Sequence, residues 1–327
     1  MTSMRTDIRV LRRERVMGLI EWAGIALVAI LLFVLFSLFS SQFYSQNNLM
    51  NIIKQVSIVA VLSIGMSCVF LIGGMDLSAG SNMFLSAVLL AVLLQDRVNV
   101  WVAMLIAVAV CGITGALNGL IIERLKINCV IVTLGSQLAI RGIALVIIEI
   151  YNSWIYVKDP VTKYINTGKP WLGLPTLFFI VVVLYTAAYF LLHRTNFGRQ
   201  VYAVGGNPRA SALCGFNNVR IKMLCYIISG VTAGIAGIIA ACRLGMVNSS
   251  VGSGYEFDAV TAVVLGGMSL KGGDGSVVKT LVGALIVSMI ANFMTLYGVD
   301  ANFKDCVTGL FILVAVLFNR FTQRQGA

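Results

Sequence analysis

Long runs of apolar residues, separated by short polar segments, constrain this chain more than any other feature of its sequence. Of its 327 residues, 59% are hydrophobic and 11% are charged, whereas soluble domains carry about 25% charged residues. A helix needs about 20 apolar residues to cross the hydrocarbon core of a lipid bilayer. The sequence therefore predicts an all-α protein, a polytopic transmembrane helical bundle.

The apolar runs give a count of the crossings. Eight runs are predicted to be spans, at residues 17–39, 52–72, 100–122, 130–150, 171–192, 221–241, 277–297 and 306–318. Two shorter segments, Leu77–Leu94 and Phe257–Leu270, lie between glycines and are either short crossings or re-entrant helices. Counting both gives about ten spans.

The basic residues predict the orientation. With ten spans, nearly every dense basic cluster falls on one side of the membrane: "ERLKIN", the segment 193–220, "KGGDGSVVK" and the terminal "NRFTQRQGA". Basic loops stay in the cytoplasm, so both termini are predicted cytoplasmic, and the net charge of +11 requires no nucleic acid as a partner. The predicted organisation is a basic N-terminal segment (1–16), one transmembrane domain (17–319) and a cytoplasmic tail (320–327).

A protein that moves solutes needs an energy source, and the chain contains no nucleotide-binding loop of its own. In "GGDGSVVKT", residues 272–280, Val278 stands where a phosphate-binding loop requires glycine before its lysine. The seven cysteines form no close pair of the kind that binds zinc. We therefore expect no catalytic residue, metal or cofactor on this chain, and any ATP must bind another polypeptide.

Ion coupling is the alternative energy source. Asp76 in "GGMDLSAGS" is either an acid at a helix start, accompanied by Ser78 and Ser81, or a coupling site. No span carries the several ionisable groups typical of a proton or sodium relay. The pattern favours energy delivered from outside the membrane and leaves an ion-coupled secondary transporter as the rival. A subunit that binds solute without conducting it is a second rival.

The longest predicted cytoplasmic loop, residues 194–220, contains the signals of a short amphipathic helix. Asn207 can cap it, Pro208 suits its first turn, and Gly215 can end it in a left-handed conformation. Loops of this length are more often functional than simple connections. A solvated surface helix between two spans is the alternative.

Four separated motifs carry a resemblance to a known family. "GGMDLSAGS", "INCVIVTLGSQLAIRG", "TNFGRQVYAVGGNPRASALCGF" with the following "KMLCYIISGVTAGIAGII", and "GSGYEFDAVTAVVLGGMSLKGGDGSVVKTLVGALI" occur in this order. The chain resembles, from about Ser57 to Asn319, the permease subunits of bacterial ATP-binding-cassette importers of the ribose, xylose and galactose class. Such a resemblance implies a monosaccharide path through the bacterial inner membrane.

The resemblance also implies partners: cytoplasmic ATPase subunits that bind ATP and magnesium, a second permease that is a copy or a paralogue, and an extracytoplasmic sugar-binding protein. In the family, a loop with the pattern E-A-A followed by Gly forms a coupling helix that contacts the ATPase. By position, the coupling residues are Asn207, Pro208, Arg209, Ala210, Ser211 and Gly215. Arg209 reverses the charge of the family's acidic residue.

Polar side chains within the spans are the candidates for the solute path, because a neutral sugar needs hydrogen bonds rather than charges. They are Ser67, Asn118, Thr133, Ser136, Gln137 and Asn292, each of which could instead bond helix to helix. Trp154 and its neighbours Tyr151 and Tyr156, in the outer loop 151–170, are candidate contacts for the binding protein or interfacial anchors.

Paired glycines predict close helix packing. Gly115 and Gly119, and likewise Gly230 and Gly234, are spaced so that one side of a helix lacks side chains. We expect contacts within one subunit, with a dimer-forming face as the alternative.

Overall fold

The computed structural model describes residues 22–300 and, beyond them, only positions 303, 306, 307, 309 and 310. The described part is mostly helical. The helices are α1 (Trp22–Phe39), α2 (Gln46–Leu71), α3 (Ala79–Gln95), α4 (Val100–Leu125), α5 (Cys129–Glu149), α6 (Pro160–Thr167), α7 (Thr176–Arg194), α8 (Asn196–Gly206), α9 (Pro208–Leu213), α10 (Asn218–Leu244), α11 (Tyr255–Leu265) and α12 (Val277–Leu296).

Within this part of the chain, seven helices are long and apolar enough to cross a membrane: α1, α2, α4, α5, α7, α10 and α12. Each coincides with a predicted span, although several ends differ. Helix α2 begins at Gln46 rather than Ile52, because Ser45 caps it by accepting a hydrogen bond from the Asn48 amide at 3.4 Å. The predicted terminal segments 1–16 and 320–327, and most of the span 306–318, lie outside the described residues.

Helix α10 is the central element of the bundle and packs against α2, α3 and α4. A side chain at Gly115 of α4 would overlap the Tyr226 carbonyl of α10, and one at Gly230 of α10 would overlap the Cys111 carbonyl of α4. Gly119 of α4 likewise packs against α10, and Gly234 of α10 packs against α4. The prediction that these glycines pack helices within one subunit is therefore confirmed.

The two shorter apolar segments form helices that begin inside the bundle. The segment predicted at 77–94 forms α3, which spans Ala79–Gln95. The segment predicted at 257–270 overlaps α11, which spans Tyr255–Leu265. The second segment ends early because Gly266 caps the helix and Gly267, with φ of 78°, turns the chain. Both helices are shorter than the roughly 20 residues that a full crossing requires.

A two-stranded antiparallel ribbon closes one end of the bundle. Its strands are β1 (Ile155–Tyr156) and β2 (Met246–Val247), with Ile155 paired to Val247. Helices α8 and α9 lie at the other end, called here the α8–α9 end, since α7 and α10 join them there. The end that carries the ribbon is called the ribbon end.

Candidate functional site

A buried carboxylate organises the loop between α2 and α3. Asp76 is fully buried and accepts hydrogen bonds from the Ser78 amide at 3.0 Å and the Ser78 hydroxyl at 2.6 Å. The Ser229 hydroxyl of α10 donates to its other oxygen at 2.7 Å. Asp76 therefore joins the start of α3 to the middle of α10, a contact that its position in the sequence does not reveal.

The network continues from Ser78 into α4 and α5. The Asn118 amide group donates to the Ser78 hydroxyl at 3.0 Å, and the Ser136 hydroxyl donates to the Asn118 carbonyl oxygen. In the first turn of α3, Asn82 accepts a hydrogen bond from the Thr114 hydroxyl at 2.6 Å. We call this set the polar cluster; its members are Asp76, Ser78, Asn82, Thr114, Asn118, Ser136 and Ser229.

The polar cluster lies well inside the bundle. At 1.5 Å of rise per residue, Ser229 is about 16 Å along α10 from its start at Asn218. Irregular backbone at membrane depth is stable only where protein or a water-filled cavity satisfies its polar groups. In transporters, helices broken at such depth surround the solute site.

A second loop enters the bundle from the ribbon end. Gly252, with φ of 77°, packs against Gly80 at the start of α3, where a larger side chain would overlap the Gly80 carbonyl. The Glu256 carboxylate of α11 is buried against Gly80 and accepts a hydrogen bond from the Gln137 side chain of α5 at 2.7 Å. The starts of α3 and α11 thus meet beside the polar cluster.

Arg141 fastens the same loop to α5. Its guanidinium donates to the Ser249 carbonyl at 2.7 Å and lies 5.2 Å from the centre of the Phe84 ring. The arginine therefore contacts both the entering loop and α3. A cation over an aromatic face is stabilised by the ring's electron distribution, which favours this one position of the side chain.

The structure brings some of the predicted path residues together and separates others. Asn118 and Ser136 belong to the polar cluster, Gln137 bonds Glu256, and the buried Thr133 bonds the Cys129 carbonyl one turn away at 2.8 Å. Ser67 donates to the Ser63 carbonyl within α2. Asn292 lies near the C-terminal end of α12. Its side chain and that of Asn48 in α2 exchange two hydrogen bonds, of 2.9 and 3.0 Å.

Two buried hydroxyls beside this region have no hydrogen-bond partner among the described residues. They belong to Ser81 in the first turn of α3 and Tyr226 of α10. Buried polar atoms are nearly always paired in proteins, so both hydroxyls can bond a water or a solute. Tyr226, Ser229 and Glu256 are absent from the predicted path, because only the fold brings them against "GGMDLSAGS".

At the α8–α9 end, the loop 194–220 forms two helices rather than the single one predicted. Thr195 caps α8, and Asn207 caps α9 by accepting hydrogen bonds from the Arg209 and Ala210 amides at 3.1 and 3.0 Å. Pro208 is the first residue of α9, and Gly215 has φ of 84°. The helix signals in the sequence are therefore confirmed, and α8 is an addition to them.

The side chains of α9 point in different directions. Arg209, Ala210 and Leu213 are exposed, Leu213 by 90%. Ser211 is buried, 3.0 Å from the Asn218 side-chain oxygen of α10. Ala210 and Ser211 therefore do not form one small exposed face, and the outward surface of α9 combines an apolar side chain with a cation.

Helix α8 attaches α9 to the rest of the bundle. A side chain at Gly205 would overlap the Leu71 carbonyl at the end of α2, and the Gly273 amide donates to the same carbonyl at 2.8 Å. Burial raises the pKa of Tyr202 to about 12, so its phenol stays protonated and donates to the Gly275 carbonyl at 2.9 Å. The α8 helix thus contacts the last residue of α2 before the loop that holds Asp76.

Glycine-rich residues 272–276 form a turn before α12. Gly272, Gly273 and Gly275 all have positive φ, and α12 begins at Val277. Gly273 packs against Gly206. The segment therefore contacts α8.

Comparison with known proteins identifies the family. Residues 48–316 match the family described as branched-chain amino acid transport system / permease component. The chain belongs to this permease family. It is accordingly a membrane-embedded transport component and not an enzyme.

Several characterised permeases are similar along nearly their whole length. The ribose import permease protein RbsC of Escherichia coli K12 is 38% identical, with 91% of this chain and 94% of the relative covered. RbsC of Bacillus subtilis 168 is 34% identical over 93% and 94%, respectively. The L-arabinose transport system permease protein AraH of E. coli K12 is 32% identical over 92% and 91%. No solved structure matches the chain.

Proposed function

We propose that this permease forms the membrane path of an ATP-driven monosaccharide importer in a bacterial inner membrane. Its similarity to RbsC over 91% of the chain is the observation that carries the proposal. Ribose is the first solute to test and L-arabinose the second. The seven long helices, α3, α11 and the span predicted at 306–318 then make ten membrane segments, with both termini in the cytoplasm.

The solute path passes the polar cluster and the meeting point of α3 and α11. Asn118, Ser136 and Gln137 offer amide and hydroxyl groups there without a free charge. The unpaired hydroxyls of Ser81 and Tyr226 are further groups that a sugar hydroxyl or a water would satisfy. Thr133 belongs to the same side of the bundle, whereas Ser67 and Asn292 act in helix packing.

Energy enters through α9. ATP and magnesium bind to separate cytoplasmic ATPase subunits, whose closure moves the segment Pro208–Gly215. Leu213 enters an apolar cleft of the ATPase, and Arg209 replaces the acidic contact of the family with a basic one. Through α8 the motion reaches Leu71, and from there the loop with Asp76, so that rigid helices rock around the path.

The importer contains two permeases, either two copies of this chain or this chain and a paralogue, and an extracytoplasmic sugar-binding protein. The exposed apolar faces of α4 and α5, which include Leu105 and Leu138, contact lipid or the second permease. This chain needs no cofactor of its own for these contacts.

Uptake in cells that lack their own permease tests the proposal. With the partner proteins supplied, the unaltered chain supports ribose or arabinose uptake.

Leu213→Asp and Gly215→Asp abolish uptake and ATPase co-purification while the permease remains in the membrane. Leu172→Asp, at an exposed leucine of the ribbon end, retains the ATPase. Normal ATPase binding by Leu213→Asp would exclude α9 as the coupling element.

A further inference from the structure

A polar cavity opens at the ribbon end, far from α8 and α9. It has a volume of about 340 Å³ and lies between the start of α2, the end of α6 and the segment that leads into α7. Asn47, Asn51 and Lys54 of α2 line one side, and Asn166 and Lys169 line the other. None of these residues belongs to the polar cluster or to the coupling segment.

Positive charge is concentrated at this cavity. The charges that act on the Lys54 ammonium are those of Lys169, which also lines the cavity, and of Arg243 at the end of α10. Both of these cations repel the Lys54 ammonium. The residues described around the cavity include no carboxylate, so an anion entering it would relieve this repulsion.

Hydrogen bonds hold the Lys54 ammonium and the walls of the cavity in position. Lys54 donates to the Asn166 side-chain oxygen at 3.1 Å, and the Asn166 amide group donates to the Arg243 carbonyl at 3.1 Å. The Thr176 amide donates to the Gly168 carbonyl at 2.9 Å and fixes the opposite wall. An ammonium has three donors, and Lys54 uses one of them in this contact.

The lining distinguishes the cavity from an ordinary site for a small molecule. Such sites are lined mainly by apolar and aromatic side chains, whereas amides and lysines dominate here and no aromatic ring is among the described lining residues. A neutral sugar would gain little from the two lysines that line the cavity. A positively charged surface attracts a partner of opposite charge and speeds its association.

We propose that this cavity receives acidic side chains of the extracytoplasmic sugar-binding protein. The proposal rests on the proposed function, which places the binding protein at the ribbon end and the ATPase at the opposite end. Carboxylates from one loop of the binding protein bond Lys54, Lys169 and the neighbouring asparagine amides. The loop is withdrawn when the binding protein leaves.

Binding measurements on the complete complex test the proposal. The permease–ATPase complex is placed in lipid nanodiscs, and the affinity of the binding protein that supports uptake by the unaltered complex is measured at two salt concentrations. Lys169→Glu weakens binding at least tenfold and reduces its dependence on salt, and Lys169→Gln weakens it less. Arg97→Glu, an exposed cation of the same end outside the cavity, changes the affinity less than twofold.

A charge exchange makes the test specific. An Asp→Lys or Glu→Lys substitution on the binding protein restores its affinity for the Lys169→Glu complex. Unchanged affinity in Lys169→Glu and in Lys54→Gln, with normal folding of both, overturns the proposal. Weakened binding of free sugar or of anionic lipid, with unchanged affinity for the binding protein, overturns it as well. Absence of any effect of a binding protein on the unaltered complex contradicts the proposed function instead.

Discussion

At the residue scale, the polar cluster shows what one sequence can and cannot predict. The motif "GGMDLSAGS" indicates an acid at a helix start, and the structure adds the contact with Ser229, which lies 153 residues away in the chain. Asn118, Ser136 and Gln137 are predictable because polar side chains are rare in spans. Their partners are not, because hydropathy does not specify which helices adjoin.

Replacing Ser229 by alanine should destabilise the permease. The substitution removes the hydroxyl that bonds the buried Asp76 carboxyl group, and leaving a buried polar group without its partner costs about 2 kcal/mol. Thermal unfolding in detergent checks the expected decrease in Tm. Ser288→Ala is the matched control, since the buried Ser288 hydroxyl has no partner among the described residues. Equal effects of the two substitutions would contradict the role given to Asp76.

Exchange of Gln137 and Glu256 tests the second buried contact. Gln137→Glu places two carboxylates at a hydrogen-bonding distance of 2.7 Å, and their repulsion should lower both Tm and transport. Gln137→Glu combined with Glu256→Gln recreates an amide–carboxylate pair and should recover much of the loss. Failure of the double variant to exceed the single one, in unfolding and in uptake, would show that the pair does not hold α5 to α11.

At the scale of the elements, length and apolar content predict the seven long helices well. The start of α2 and the end of α11 are less accurate, because polar Gln46–Asn51 belongs to a helix and glycine turns end an apolar run early. Helix α8 is absent from the prediction since its residues are polar and rich in glycine. The structure shows both the helix and the packing of Gly205 against Leu71.

Two neighbouring glycines of α8 test how this helix transmits motion. Gly205→Ala should reduce uptake at least tenfold, because the new methyl group overlaps the Leu71 carbonyl and pushes α8 from α2. Gly206→Ala should retain most of the uptake, since a methyl group there meets no atom within 4 Å. ATPase co-purification should persist in both variants. Normal uptake by Gly205→Ala would exclude this contact as the route of coupling.

At the scale of the whole molecule, the sequence predicts the class of protein more completely than its mechanism. Composition indicates a membrane bundle, and the order of the four motifs indicates the permease family. The meeting of α3 and α11 inside the bundle depends on tertiary contacts, chiefly those of Gly80 with Gly252 and Glu256. Short apolar segments between glycines leave crossings and re-entrant helices equally open, so the fold was required to find this meeting point.

Uptake by purified protein in liposomes tests the central claim most directly. The permease is reconstituted with its ATPase and binding protein, and entry of labelled ribose or arabinose is followed. We expect uptake to require ATP on the side of the membrane that carries the ATPase and the binding protein on the opposite side. We expect no uptake on a proton or sodium gradient when the ATPase is absent. Sugar accumulation by the permease alone on an ion gradient would contradict it.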